Sequence, residues 1–223
     1  MDEYKYHKYK NKYMHLKITN MQNGGKKNTI IHVSGAPGSG KTTLGNKIQN
    51  FIDKNPTYGD KVIVKDLDDL FAKYMSTTQE FNSDKYQKYI DNFIGDNKKK
   101  IIIFVGLNKE HLTETLYDIQ ADYKYFIDLP TEINLERHFD REINQWLNWM
   151  KNRDKHILFN QLLVNEEEVI TDLRKTLSEV LDISQQKKFI MSFDTIYKKQ
   201  GYIFLDSNTI YKNIIKILKT AIQ

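Results

Sequence analysis

The chain has 223 residues, of which 39% are hydrophobic, and this length is sufficient for one domain with a sizeable core. It contains no cysteine, which excludes a disulfide framework and a thiolate metal site, and no apolar window has the length of a membrane-spanning helix. The net charge is +5, but Lys, Asn, Ile and Tyr, all specified by AT-rich codons, dominate the composition, so the lysines alone do not indicate a nucleic-acid surface. We therefore expect a cytoplasmic protein.

The first segment, residues 1–28, is predicted to be a basic, Lys- and Tyr-rich N-terminal extension. Lys and Tyr recur there without a helical period, and Asn23-Gly24-Gly25 interrupts the chain before the first predicted strand. Such a tail is either loosely attached or adds a strand to a sheet, and its mixture of basic and aromatic residues could also bind nucleic acid. Residues 29–223 are predicted to form the domain.

Short apolar runs alternate with helical patterns along this domain. The predicted strands are Thr29–Val33, Lys61–Val64, Ile101–Val105, Tyr123–Ile127 and Tyr202–Leu205. The predicted helices cover about 41–54, two pieces across 68–94, 109–119, a long run from 131 to about 200, and 208–221. Five strands joined by helical crossovers predict an α/β fold with a parallel sheet and three layers.

The segment GAPGSGKT, Gly35–Thr42, fits the pattern G-x-x-x-x-G-K-[ST] between a predicted strand and a predicted helix. Its glycines allow positive φ, so that successive N–H groups and the helix start surround phosphate oxygens. Lys41 would contact the β- and γ-phosphates, and the Thr42 hydroxyl would bind Mg²⁺. The pattern predicts a P-loop protein with ATP and Mg²⁺ as cofactors. The predicted cofactor-binding residues of this loop are Gly35, Ala36, Pro37, Gly38, Ser39, Gly40, Lys41, Thr42 and Thr43.

Two acidic residues, Asp66 and Asp68, stand at the carboxyl end of the second predicted strand, where open α/β sheets bind ligands. This Asp-x-Asp spacing resembles that of shikimate-kinase-like enzymes and related small-molecule kinases. The resemblance implies that Asp66 helps Thr42 to hold Mg²⁺ and that Asp68 contacts the acceptor hydroxyl and takes its proton. The alternative is that Asp66, Asp68 or Asp69 caps the following helix.

A helical lid is predicted around residues 131–160. An apolar stripe at helical spacing supports the helix and consists of Leu135, Phe139, Ile143, Trp146 and Met150. Arg137 and Arg141 lie four apart on a different face, and the segment resembles the lid of nucleoside-monophosphate-kinase-like proteins. The resemblance implies that both arginines are catalytic and stabilise the transferring phosphoryl group, together with Lys41. The alternative is a solvated helix face.

The turn at Asp206, after the last predicted strand, resembles the turn that lies beside the adenine ring in the same family, although Asp206 could equally cap the last helix. Taken over residues 29–221, the resemblance implies the three-layer P-loop NTPase fold with strand order 2-3-1-4-5.

The sequence is thus identified as a P-loop small-molecule kinase, nucleoside/nucleotide-kinase-like or shikimate-kinase-like, of the P-loop NTPase superfamily. The expected activity is ATP-dependent transfer of the γ-phosphoryl group to a small-molecule acceptor such as a nucleoside, a nucleotide or a similar hydroxylated metabolite. The alternatives are an ATP-binding regulatory module with little transfer activity and a kinase acting on nucleic-acid ends. No membrane partner is expected, and a nucleic-acid partner is possible but not favoured.

Overall fold

The computed structural model describes residues 28–78, 80–108, 119–152 and 182–222, and the single helical positions 167, 171 and 175. The predicted extension therefore lies outside the described residues except for Asn28, whose side-chain amide donates to the Ile94 carbonyl at 2.8 Å. The predicted helix over 109–119 also lies outside them except for Ile119, which is non-helical, and so does the part of the predicted lid beyond 152 apart from the single positions 167, 171 and 175. The division at residue 28 stays a prediction.

The strands form one parallel sheet with the order β2-β3-β1-β4-β5, which confirms the predicted α/β sheet and its order. The strands are β1 (Thr29–Ser34), β2 (Val62–Asp66), β3 (Ile101–Val105), β4 (Tyr123–Ile127) and β5 (Ile203–Leu205). The central strand β1 is paired with β3 through Val33 and Val105, and with β4 through Val33 and Tyr125. Strand β2 extends beyond its predicted end because its register with β3 continues to Asp66 opposite Val105.

The helices of the described residues are α1 (Lys41–Asp53), α2 (Leu67–Thr78), α3 (Ser83–Asp96), α4 (Thr131–Asn152), α5 (Ile183–Lys199) and α6 (Ser207–Ile222), with a short 3₁₀ turn at Pro56–Tyr58. The prediction of one helical run from 131 to about 200 is wrong at Asp182, which is non-helical. The Asp182 carboxylate accepts the Gln185 N–H at 2.9 Å and caps a new helix. No helix in the described part of the chain is long and apolar enough to cross a membrane.

Helices cover both faces of the sheet because the side chains of the buried strands alternate between two cores. On one face, Ile31 and Val33 pack with α1 and α6, whose apolar residues recur at helical spacing, as in Leu44, Ile48 and Ile52. On the other face, Ile30 packs with α2 and α3, and a third cluster joins β4 and β5 to α5. This arrangement leaves the carboxyl ends of the strands at one edge, where the loops carry the candidate residues.

Candidate functional site

The glycine-rich loop leaves the central strand β1 at its carboxyl end and leads directly into α1. The chain returns to one side of β1 through β3 and to the other through β4, so the loop lies where the strand order reverses. In open α/β sheets, ligands bind in the crevice at this point. The position of the loop therefore agrees with that of a binding site.

The backbone of the loop needs its glycines. Gly38 has φ 83° and Gly40 has φ 90°, in the left-handed region that favours glycine. A Cβ on Gly35 would clash with Ser39 Oγ, and it would also lie 3.2 Å from Ile127 Cβ. The sequence pattern thus reflects a backbone requirement at Gly38 and Gly40 and a lack of space for a side chain at Gly35.

Helix α1 begins at Lys41 without a side-chain cap and without an acidic residue in its first turn. The Leu44 N–H donates to the Gly40 carbonyl at 3.0 Å, while the N–H groups of the residues before Leu44 have no acceptor inside the helix. These N–H groups and the positive end of the helix dipole attract a negative group. The loop and helix start together can bind an anion.

The Lys41 side chain folds back over the loop. Its Nζ donates to the Gly35 carbonyl at 2.8 Å and to the Ala36 carbonyl at 3.0 Å. These hydrogen bonds hold the ammonium group at the loop. Since an ammonium group has three donors, one donor can still reach a bound ligand without breaking either hydrogen bond.

The pKa of Lys41 is lowered to about 8, chiefly because burial disfavours the charged form. The charge of Asp68 raises this pKa, that of Arg141 lowers it, and that of Asp66 raises it. These predicted catalytic side chains therefore lie close enough to Lys41 to influence its ionisation. A bound anion would stabilise the charged form of Lys41.

Asp66, the last residue of β2, joins two helix starts. Its Oδ1 accepts the Asp68 N–H at 2.9 Å, and its Oδ2 accepts the Thr42 hydroxyl at 3.4 Å. Burial raises the pKa of Asp66, and the Asp68 N–H acts in the opposite direction. The structure thus brings Asp66 to Thr42 and also shows Asp66 capping α2, the alternative role. Asp68 is exposed, and Asp69 forms an ion pair with Lys65 at 3.3 Å.

Helix α4 lies beside the loop. Arg137 Nη1 is 4.0 Å from the position that a Cβ on Gly40 would occupy, so this guanidinium lies at the loop. Both Arg137 and Arg141 are exposed. Arg141 Nη2 lies 3.0 Å from His138 Nδ1, a hydrogen-bond partner that the sequence analysis did not assign. The structure thus places Arg137 beside Gly40, and Arg141 close enough to Lys41 to lower its pKa.

Two buried polar atoms at the loop lack a hydrogen-bond partner among the described residues, Ser39 Oγ and Asn134 Oδ1. Both residues are only 3% exposed. Ser39 belongs to the predicted loop, whereas the sequence analysis missed Asn134. No sequence signal could have identified it, because an asparagine near the start of an amphipathic helix is ordinary.

Asp206 is explained by capping. Its Oδ1 accepts the N–H groups of Asn208 and Thr209, each at 3.0 Å, at the start of α6. The Thr209 hydroxyl also donates to Asp206, and this hydrogen bond is the main reason why the pKa of Asp206 is lowered. The local geometry therefore favours the alternative given for Asp206 over a contact with a ligand.

The described residues contain no group of three or more His, Asp or Glu side chains that could hold a metal ion. The predicted metal ligands, Thr42 and Asp66, are hydrogen-bonded to each other. Their proximity follows from the packing of α1 beside β2.

Residues 61–198, more than half of the chain, match the model of a family described as "Putative papain-like cysteine peptidase (DUF1796)". The matched segment runs from the start of β2 to the end of α5 and includes Asn134, but it begins after the glycine-rich loop. No curated protein matches the chain.

This match overturns the functional interpretation of the sequence. On this finding, the assignment to P-loop small-molecule kinases is wrong, as are the ATP-dependent phosphotransferase activity, its two alternatives, and ATP and Mg²⁺ as cofactors. The physical reason is that an eight-residue pattern reports a local backbone geometry, which many reactions can use, and the pattern lies outside the matched segment. The chain belongs to the DUF1796 family.

Proposed function

We propose that the loop Gly35–Thr43 binds a phosphate group of a small ligand. The observation that carries this proposal is that α1 starts without a side-chain cap directly after Gly38 and Gly40, both with positive φ. Loops of this kind turn several N–H groups toward one point and form a concave anion site. The ligand would then lie at the carboxyl end of β1, on the edge of the sheet in this three-layer fold.

Charge supports the same conclusion. Lys41 lies in the loop, and Arg137 lies beside Gly40, so two cations border the first turn of α1. Hydrogen bonds to charged groups contribute about 1.5–3 kcal/mol each, more than the roughly 0.3–1 kcal/mol of the helix dipole. We therefore expect Lys41 to contribute more to affinity than the helix start alone.

The description of the family names a cysteine peptidase, and this name implies a thiolate nucleophile. These 223 residues contain no cysteine, so none of them can supply that thiolate. Our proposal for this chain is accordingly binding and not peptide hydrolysis. We still predict a small-molecule partner in preference to nucleic acid. The cytoplasmic location also stays a prediction.

The test is calorimetric titration of the chain with pyrophosphate. Lys41→Ala should weaken binding by roughly ten- to a hundredfold, because it removes one charge-assisted contact of about 1.5–3 kcal/mol. Lys54→Ala, which removes the exposed lysine after the other end of α1, is the matched control and should bind like the wild type. No binding by the wild type, or equal binding by Lys41→Ala, would contradict the proposal.

A further inference from the structure

We propose that this site recognises the proton of a phosphate group, because Asn134 Oδ1 offers a hydrogen-bond acceptor at a loop that otherwise offers donors. The ligand class would be a protonated phosphate group, with fully deprotonated tetrahedral anions such as sulfate bound less tightly. This inference rests on the proposed function and adds the selectivity of the same site.

Asn134 lies in the first turn of α4, where its N–H donates to the Pro130 carbonyl at 3.0 Å. A Cβ on Gly38 would lie 3.1 Å from both the Oδ1 and the backbone carbonyl oxygen of Asn134, and 3.3 Å from the backbone nitrogen of His138. Helix α4 thus packs directly on the loop, and Oδ1 faces the loop backbone at Gly38.

The side-chain oxygen of Asn134 is a buried acceptor without a partner. Asn134 is 3% exposed, and its Oδ1 has no hydrogen-bond partner among the described residues. A buried acceptor without a partner costs free energy, so a ligand hydrogen that pairs with it is favoured. Ser39 Oγ, also buried and unpaired at the loop, can act as donor or acceptor, whereas Asn134 Oδ1 can only accept.

The first N–H groups of α1 and the Lys41 ammonium all donate hydrogen bonds. A fully deprotonated anion accepts from these donors but cannot donate to Asn134 Oδ1, which stays unpaired. An anion that keeps one proton satisfies both the donors and this acceptor.

Inorganic phosphate and sulfate test this difference because they have the same tetrahedral shape, while only phosphate carries a proton at neutral pH. Calorimetric titrations of the full chain with each anion at matched ionic strength should show phosphate binding roughly ten- to a hundredfold more tightly, as expected for one hydrogen bond involving a charged group. Asn134→Leu should reduce this ratio to about one, because it removes the acceptor.

Two further variants make the result specific. Asn134→Asp keeps an acceptor oxygen, so both anions should bind less tightly while the preference for phosphate remains. Asn144→Leu makes the same change at an exposed position of the same helix and should leave both affinities unchanged.

Equal affinity of the wild type for the two anions, or an unchanged ratio in Asn134→Leu, would overturn the inference while phosphate binding at the loop stands. If Asn134→Leu does not fold, loss of the preference in Asn134→Asp overturns it and retention supports it. If the wild type binds neither phosphate nor pyrophosphate, the proposed function is overturned, and this inference with it.

Discussion

Both faces of the sheet are buried, but they differ around the central strand. On the face covered by α1 and α6, which we call the apolar face, Ile31 and Val33 of β1 pack in a hydrophobic cluster and are fully buried. On the opposite face, His32 of the same strand is also fully buried, yet it lies in a polar network. Its Nδ1 is 2.5 Å from the Tyr202 hydroxyl, and its Nε2 is 3.1 Å from the Gly106 carbonyl.

The polar face continues toward the site. The Tyr197 hydroxyl of α5 donates to Asn108 Oδ1 at 2.6 Å, just after β3. A Cβ on Gly106 would lie 3.6 Å from Asp66 Oδ1, so this turn is adjacent to the candidate site. Apolar burial stabilises without fixing direction, whereas hydrogen bonds fix geometry and carry a cost when one partner is lost. The hydrogen bonds on this face therefore fix the positions of the loops, in addition to the apolar packing that both faces of the sheet provide.

The largest effect should come from the apolar face. Ile103 belongs to β3, which lies between β1 and β2. Ile103→Ala removes a fully buried side chain and should lower the free energy of unfolding by about 2–5 kcal/mol. Ile183→Ala, at a position that is 66% exposed, is the control and should have little effect. Urea denaturation measures both. A small loss in Ile103→Ala would mean that burial at this position of the apolar face contributes little to stability.

The second effect depends on pH and belongs to the polar face. Burial, the largest cause, lowers the pKa of His32 from 6.5 to about 4, and the charge of Lys124 also lowers it. The folded state therefore binds fewer protons than the unfolded state between these values, so stability is full above pH 6.5 and is lost as the pH falls toward 4. The loss should reach about 3 kcal/mol.

Urea denaturation across this pH range, on the wild type and on the double variant His32→Leu/Tyr202→Phe, measures the effect. The double variant removes both partners of the side-chain hydrogen bond and should show a shallower loss of stability on acidification. The difference between the two pH profiles removes the contribution of carboxyl groups. Identical profiles would show that His32 is not held neutral by the fold.

The smallest effect compares one hydroxyl on each face. Tyr197→Phe should lower the free energy of unfolding by about 1–3 kcal/mol, because it leaves the buried side chain of Asn108 without the hydroxyl donor. Tyr125→Phe, on the apolar face, should be neutral or slightly stabilising, because the buried Tyr125 hydroxyl has no partner among the described residues. Thermal denaturation of both variants decides. Equal losses would remove the distinction between the two faces.

Much of the fold could be predicted because its signals are local. The continuous β-branched run Ile101–Val105 forms a strand with the predicted bounds, as does Tyr123–Ile127. The predicted bounds were least accurate where a distant contact or a cap decides them. Strand β2 reaches Asp66 because β3 continues beside it, and the interruption at Asp182 depends on one carboxylate accepting a backbone N–H.

The candidate site divides in the same way. The loop could be predicted from the sequence, because glycines with positive φ and a helix start depend on neighbouring residues. It did not determine the chemistry, because the same local geometry serves many families, and the family match corrected that interpretation. Only the tertiary structure placed Asn134 against Gly38 and paired His32 with Tyr202, which are 170 positions apart. Such contacts follow from how helices pack on a sheet, and no local pattern of residues encodes them.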